Sequence, residues 1–424
     1  MEIILVLILV VLCASAASLV TCTSAGFRME LSHVDGKGSY TAAERVQRAM
    51  ARSRQRLASF ADMSVPVHWN TSQYVAEYLI GNPPQRAEAL IDTGSDLIWT
   101  QCSTCSLKGS CVKQGLPYYN ASNSDSFHPV PCNDTLCLAN QEHSCARGGS
   151  CAFGAFYGAG VTRGSIATEV FAFQNGSARL TFGCVDSLMI TPGSLDGASG
   201  LIGLVRGPLS LISQVGAKKF SYCHTPYLRS NATAGASSHL FVGASASLSG
   251  GSPVMSMSFV QVPKKYPFYY VPLVGISVGH TRLSIPPTVF ALKQNGTGGV
   301  IVDSGTSITA LADGADRPLR KELRRQLNGS LVPPPPNSGM DLCVAVVHEK
   351  TVPSMVFHFS GGADMVLPRE NYWVPLDNFT SCMVLHTTSK GMSVIGNFQL
   401  ENMHLLYDLA KDELSFQTAD CSSL

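Results

Sequence analysis

The stretch Ile91-Asp92-Thr93-Gly94-Ser95-Asp96-Leu97-Ile98-Trp99 ends an apolar run on an aspartate, and the pattern returns as Ile301-Val302-Asp303-Ser304-Gly305-Thr306-Ser307. A carboxylate placed straight after a buried strand loses hydration and needs donors around it. In each copy the hydroxyl residues and the Gly backbone N–H are positioned to supply them. A second pattern follows each Asp turn farther along the chain, Leu201-Ile202-Gly203 after the first and Val394-Ile395-Gly396 after the second. The repeated order constrains the chain to two related halves, each carrying one acid to a shared cleft.

A chain of 424 residues with 45% hydrophobic and 14% charged content is long and apolar enough for two lobes with sizeable cores. A net charge of +1 argues against nucleic acid as a partner. The 11 histidines show no His-Glu-x-x-His pattern, and no Gly-x-Ser-x-Gly stands at a strand-to-helix turn, so a metal or serine hydrolase finds little support. Paired carboxylates also suit a glycosidase, but twin Asp-hydroxyl-Gly turns do not. Asp96, close behind Asp92, reads as a surface or turn residue and not as a third catalytic acid.

Met1-Glu2, the apolar run from Ile3 to Leu12 and the small residues Ala14 to Ala17 read as a secretory signal over residues 1–23, although a positive charge is missing ahead of the run. No later stretch is long or apolar enough for a membrane anchor. Of 14 cysteines, Cys13 and Cys22 fall in that leader, and twelve remain, an even number suited to six disulfides in an oxidising compartment. Asn-x-Ser/Thr sequons at Asn70, Asn120, Asn133, Asn175, Asn231, Asn295, Asn328 and Asn378 point to the same route.

Residues 24–64 read as a basic, helical propeptide. Thr41 and Glu44 form a capping box, Val46, Met50, Leu57 and Phe60 fall near one face, and Arg45, Arg48, Arg52, Arg54 and Arg56 surround it. Their charge would cover an acidic cleft until low pH protonates its carboxylates. From about Val65 short apolar strands broken by Gly, Pro and Asn indicate an all-β chain, with an N-terminal lobe over 65–250 and a C-terminal lobe over 251–424. The run from Asp316 to Leu327 is the exception, a surface helix with Leu319, Leu323 and Leu327 on one stripe. Seven cysteines crowd residues 102–151: Cys102, Cys105, Cys111, Cys132, Cys137, Cys145 and Cys151. Cys102-x-x-Cys105 could begin a zinc site or a redox pair, but in a cysteine-rich secreted chain it reads as part of a disulfide-stapled insertion.

With these motifs the chain resembles the pepsin-like aspartic proteases, whose bilobal, all-β fold presents one Asp turn from each lobe. The insertion narrows the likeness to the nepenthesin-like, or atypical, plant aspartic proteases. The segment from Ala89 to Cys102, Gly203-Leu204-Val205-Arg206-Gly207-Pro208-Leu209-Ser210-Leu211, and Gly396-Asn397-Phe398-Gln399 with Tyr407-Asp408-Leu409 carry that narrower resemblance.

The resemblance implies an endopeptidase in which Asp92 and Asp303 activate water, without metal or cofactor, on protein or peptide substrates. It assigns Ser95 and Thr306 to the outer carboxylate oxygens, Gly94 and Gly305 to backbone donation, and Thr93 and Ser304 to tying the turns together. Tyr157 and Gly158 would belong to a mobile flap, with Trp99 bracing Tyr157 through its indole N–H. Ala159 and Val161 stand where relatives usually carry an acid and a Ser, which bears on subsite preference and not on the chemistry. The same likeness makes Cys343 and Cys382 a second-lobe bridge and Cys223 with Cys421 a candidate pair. Cys184 completes the twelve, and sequence leaves the connectivity open. A monomer is expected, since both acids come from one chain, exported to the apoplast or held in the vacuole. The competing expectation is a pepsin-fold binding protein resembling the plant xylanase inhibitors, which no longer cleaves.

Overall fold

The computed structural model describes residues 26–59, 74–140, 142–157, 160–191, 195–227, 237–248, 252–262, 267–294, 296–389 and 391–424. The expected signal segment, the hairpin residues Gly158 and Ala159, and the sequons at Asn70, Asn231 and Asn295 lie outside the described residues. The architecture is mostly β and built in two halves, as expected.

One large sheet runs through both halves. At its centre Phe27–His33 lies between Ser238–Val242 and Tyr74–Ile80, antiparallel to each, with Phe27 opposite Val242 and Leu31 opposite Ala76. This segment corrects the expectation of a helical character from Phe27 onward. Phe27, Met29 and Leu31 alternate with polar neighbours, a period of two that lines one face of a strand. All three are buried, each stabilising the strand's place by roughly 1.5–3 kcal/mol. The helix begins later, at Ala42–Ser59, behind the expected capping box: the Thr41 N–H donates to Glu44 Oε2 at 2.7 Å, and the Glu44 N–H donates to Thr41 Oγ1 at 3.2 Å.

The second half adds three four-stranded sheets. One runs in the order Thr281–Arg282, Leu273–Val278, Met355–Phe359, Asp364–Leu367; another holds Val300–Val302, Ser393–Ile395, Ala310–Ala312 and His386–Thr388. The helix Asp313–Gln326 packs its leucine stripe inward, with Leu319, Leu323 and Leu327 all buried. Asp313 and Asp316 in its first turn and Arg324 and Arg325 in its last complement the helix dipole. Ile91 and Ile202 from the first half share one continuous core with Val302 and Ile395 from the second, so the two Asp turns stand on common packing.

All twelve non-leader cysteines pair: Cys102–Cys184, Cys105–Cys111, Cys132–Cys145, Cys137–Cys151, Cys223–Cys421 and Cys343–Cys382. Cys102 and Cys105 go to different partners, which removes the zinc and redox-pair readings. Three bridges staple the insertion internally, and Cys102–Cys184 fastens its start to the long strand Gly176–Ile190.

Candidate active site

Each Asp turn leaves the end of a strand that is paired in parallel with its apolar-apolar-Gly partner. Leu90, Ile91 and Asp92 stand opposite Leu201, Ile202 and Gly203; Val300, Ile301 and Val302 stand opposite Ser393, Val394 and Ile395. The Leu204 N–H donates to the Asp92 carbonyl at 2.8 Å, and the Asp303 N–H donates to the Ile395 carbonyl at 3.1 Å. The glycines are required by close approach. A Cβ on Gly203 would overlap the Ser95 and Asp96 carbonyls, and one on Gly396 would sit 2.9 Å from the Thr306 carbonyl.

The two turns are tied by reciprocal bonds. The Thr93 N–H donates to Ser304 Oγ at 3.0 Å and the Ser304 N–H to Thr93 Oγ1 at 2.8 Å. Both hydroxyls then donate across the junction, Thr93 to the Val302 carbonyl and Ser304 to the Ile91 carbonyl. The Gly94 N–H donates to Asp92 Oδ1 at 2.9 Å, and the Gly305 N–H to Asp303 Oδ1 at 3.0 Å. Both aspartates are essentially inaccessible, at 1% and 0%. The halves differ at the outer oxygen: Thr306 donates to Asp303 Oδ2 at 2.6 Å, whereas the Ser95 hydroxyl makes no hydrogen bond among the described residues.

Asp96 is half-buried in the loop directly behind the first Asp turn. Its Oδ1 accepts from the Leu209 N–H at 3.1 Å, and a Cβ on Gly207 would overlap its carboxylate. Burial pushes its pKa up to about 6, against the opposing pull of the Leu209 and Ser210 backbone donors. Tyr157 closes the strand Cys151–Tyr157, opposite Gly160, with its ring 6.2 Å from Trp99. Burial raises its phenol pKa; Thr162 and Trp99 pull it down as hydrogen-bonding neighbours, and the Asp92 charge adds to the rise.

The helix Ala42–Ser59 lies against the second Asp turn. Ser53 Oγ accepts from the Ile308 N–H at 2.7 Å, and His386 Nε2 lies 3.0 Å from the Met50 carbonyl, where it donates. Val46, Ala49 and Met50 pack with Ile308, Val384 and Phe398. On its other side the helix grips the first half at Asp196, which accepts from Arg48 at 2.8 Å and Arg52 at 3.0 Å, while Asp35 of the same N-terminal segment ties both arginines together, at 2.6 Å from Arg48 and 2.5 Å from Arg52. Burial pushes the Asp35 carboxyl up, but Arg52 and Arg48 overcome it and hold the group down at about 2. At Asp196 burial outweighs the same arginines and the pKa is raised.

Sequence reasoning missed Asn397 as a support. Its Nδ2 donates to the Ser304 carbonyl at 2.6 Å and its backbone N–H to the Thr306 carbonyl at 2.9 Å, so it clasps the second Asp turn from below. The only hint was its position directly after Gly396. Asp196 was missed as well, because nothing local distinguishes it from any loop acid. Among the described residues no cluster of His, Cys, Asp or Glu could hold a metal ion, and no helix is long and apolar enough to cross a membrane.

Two β halves, each presenting an Asp turn braced by an apolar-apolar-Gly strand, define the pepsin-like class. The family descriptions Xylanase inhibitor N-terminal and Xylanase inhibitor C-terminal match residues 74–244 and 268–418. Aspartic proteinase nepenthesin-1 of Nepenthes gracilis is 40% identical over 94% of this chain and 91% of its own, and nepenthesin-2 of the same plant is 34% identical over the same shares. The crystal structure of basic 7S globulin from soybean has the same fold, with a TM-score of 0.65 at 15% identity over 93% of this chain and 97% of its own. The chain belongs to the nepenthesin-like, atypical plant aspartic proteases, and is an aspartic endopeptidase whose substrates are proteins.

Proposed function

We propose that the chain is the zymogen of a secreted endopeptidase that cleaves proteins in acid, using Asp92 and Asp303 as one catalytic unit. The reciprocal Thr93–Ser304 bonds carry this reading, because they hold the two Asp turns in a common two-fold arrangement. Carboxylates so held share a proton, as in aspartic proteases generally. The ionised member takes a proton from water as the water attacks the scissile carbonyl, and the protonated member donates to the developing oxyanion. Gly94 and Gly305 keep the inner oxygens fixed as donors, and Thr306 orients the outer oxygen of Asp303. Tyr157, braced by Trp99, would close over the bound peptide.

The Ala42–Ser59 helix supports a propeptide role, since it occupies the backbone N–H of Ile308 beside the second turn and is clamped to the first half through Asp196. Six disulfides support an oxidising route, with the apoplast or vacuole as destination. The test is cleavage of a denatured protein from pH 3 to about 7, with and without pepstatin, by acid-treated wild type and Asp92→Asn. Acid-optimal, pepstatin-sensitive cleavage abolished by the substitution is expected. Inactivity of the wild type after demonstrated removal of the propeptide, residues 24–64, would instead favour a pepsin-fold binding protein.

A further inference from the structure

Away from the two Asp turns, sheet register assembles a second constellation from three strands. Ser277 on Leu273–Val278, His358 on Met355–Phe359 and Asp364 on Asp364–Leu367 are brought together although 87 residues separate the first and last. Ser277 Oγ lies 2.7 Å from His358 Nε2, and His358 Nδ1 lies 2.7 Å from Asp364 Oδ1. His358 stands directly opposite Asp364 and opposite Gly275, two positions before Ser277 on the same face. The proton arrangement follows from donor chemistry. An ionised carboxylate only accepts, so Nδ1 must donate to Asp364; in the neutral imidazole Nε2 is then the acceptor, and the Ser277 hydroxyl must donate to it. This is the order of protons that activates a serine nucleophile.

A cation completes the group. Arg282 pairs across from Ser277, and its guanidinium lies over Gly275, where a Cβ would come within 2.7 Å of its Nε and Cζ. Glycine at 275 therefore lets the guanidinium lie over the strand two residues before Ser277, its cross-strand partner. The site is open: the His358 side chain is 17% exposed and Asp364 49%.

We propose that Ser277 is a nucleophilic serine, activated by His358 and oriented by Asp364, that accepts acyl groups from small esters, with Arg282 stabilising the developing oxyanion. Ser277 Oγ attacks the ester carbonyl carbon while His358 Nε2 takes the hydroxyl proton. The carbon–oxygen bond to the alcohol breaks, and the leaving alkoxide receives that proton, leaving an acyl-Ser277 ester. Water attacks this ester with His358 again as base; the carboxylic acid departs and Ser277 regains its proton. No group of the Asp92–Asp303 pair takes part, so the activity is independent of that pair and insensitive to pepstatin. The spacing of 277, 358 and 364 in sequence resembles no serine-hydrolase motif, which is why the chain read as sequence gave no sign of it.

The full chain, kept near pH 8 with pepstatin present, is treated with diisopropyl fluorophosphate and separately assayed with p-nitrophenyl acetate. With the first reagent a Ser277 Oγ–phosphorus bond forms, the phosphorus–fluorine bond breaks, and fluoride leaves with the hydroxyl proton. Mass spectrometry is expected to place the adduct on Ser277; Ser277→Ala abolishes adduct and esterase activity, and His358→Ala slows labelling by about a hundredfold or more. Ser277→Ala should leave acid proteolysis unchanged, showing that the variant is folded. An absence of adduct at Ser277 under conditions that label a serine esterase overturns the proposal. So does labelling at an equal rate in His358→Ala, or ester hydrolysis that persists in Ser277→Ala.

Discussion

Replacing Asp96 by Asn should flatten the pH dependence of stability between about pH 4 and 6. Asp96 is packed against Gly207 and accepts from the Leu209 N–H, and burial raises its pKa from 3.8 to about 6. A carboxyl with a raised folded-state pKa stays protonated in the fold while the unfolded chain has already ionised. Stability is therefore full below the unfolded value and falls as pH rises toward the folded one. A shift of roughly two units corresponds to about 3 kcal/mol, at 1.36 kcal/mol per unit. Asn keeps an acceptor for Leu209 and cannot ionise, so Asp96→Asn should be the more stable protein at pH 7, with little difference at pH 3.5. The assay is urea denaturation at half-unit steps from pH 3.5 to 7.5, on chains carrying Asp303→Asn to prevent self-cleavage. Asp35 and Asp196 are present in both proteins, so their contributions cancel in the difference. Parallel stability curves for the two proteins across pH 4 to 6 would refute the argument that burial controls Asp96.

Ser304→Ala removes the acceptor of the Thr93 N–H and should cost about 1–3 kcal/mol, with kcat falling more than KM changes, because the loss is felt in alignment of the two turns; unchanged kcat would count against the tie. Asp35→Asn deprives Arg48 and Arg52 of a shared buried carboxylate, a class of change costing about 3–5 kcal/mol. Hydrogen exchange over Ala42–Ser59 at pH 7 should accelerate by tenfold or more, and equal protection in the two proteins would dismiss the clamp. Because the Asp35 pKa is lowered to about 2, its contribution is complete above pH 3.8 and lost only as pH falls toward 2. The same exchange experiment at pH 4 should thus find the wild-type clamp still largely intact.

The chain read as sequence determined the two Asp turns, the apolar-apolar-Gly strands beneath them, the all-β character and the leucine-striped helix. Each of these is a local pattern, in which residue type, period and a few neighbours suffice to specify the outcome. Tertiary structure alone decided the rest. Phe27–His33 is a strand because Ser238–Val242 and Tyr74–Ile80 flank it on both edges, and those partners are remote in sequence. Cysteine pairing, the capture of Arg48 and Arg52 by Asp35 and Asp196, and the clasp of Asn397 on Ser304 likewise depend on what the fold brings near. So does the row of Ser277, His358 and Asp364, whose contacts are set by register across three strands. Short-range signals survive in sequence because backbone geometry fixes which neighbours meet. Burial and charge pairing do not, because a carboxylate such as Asp96 acquires its environment only when a distant loop closes over it.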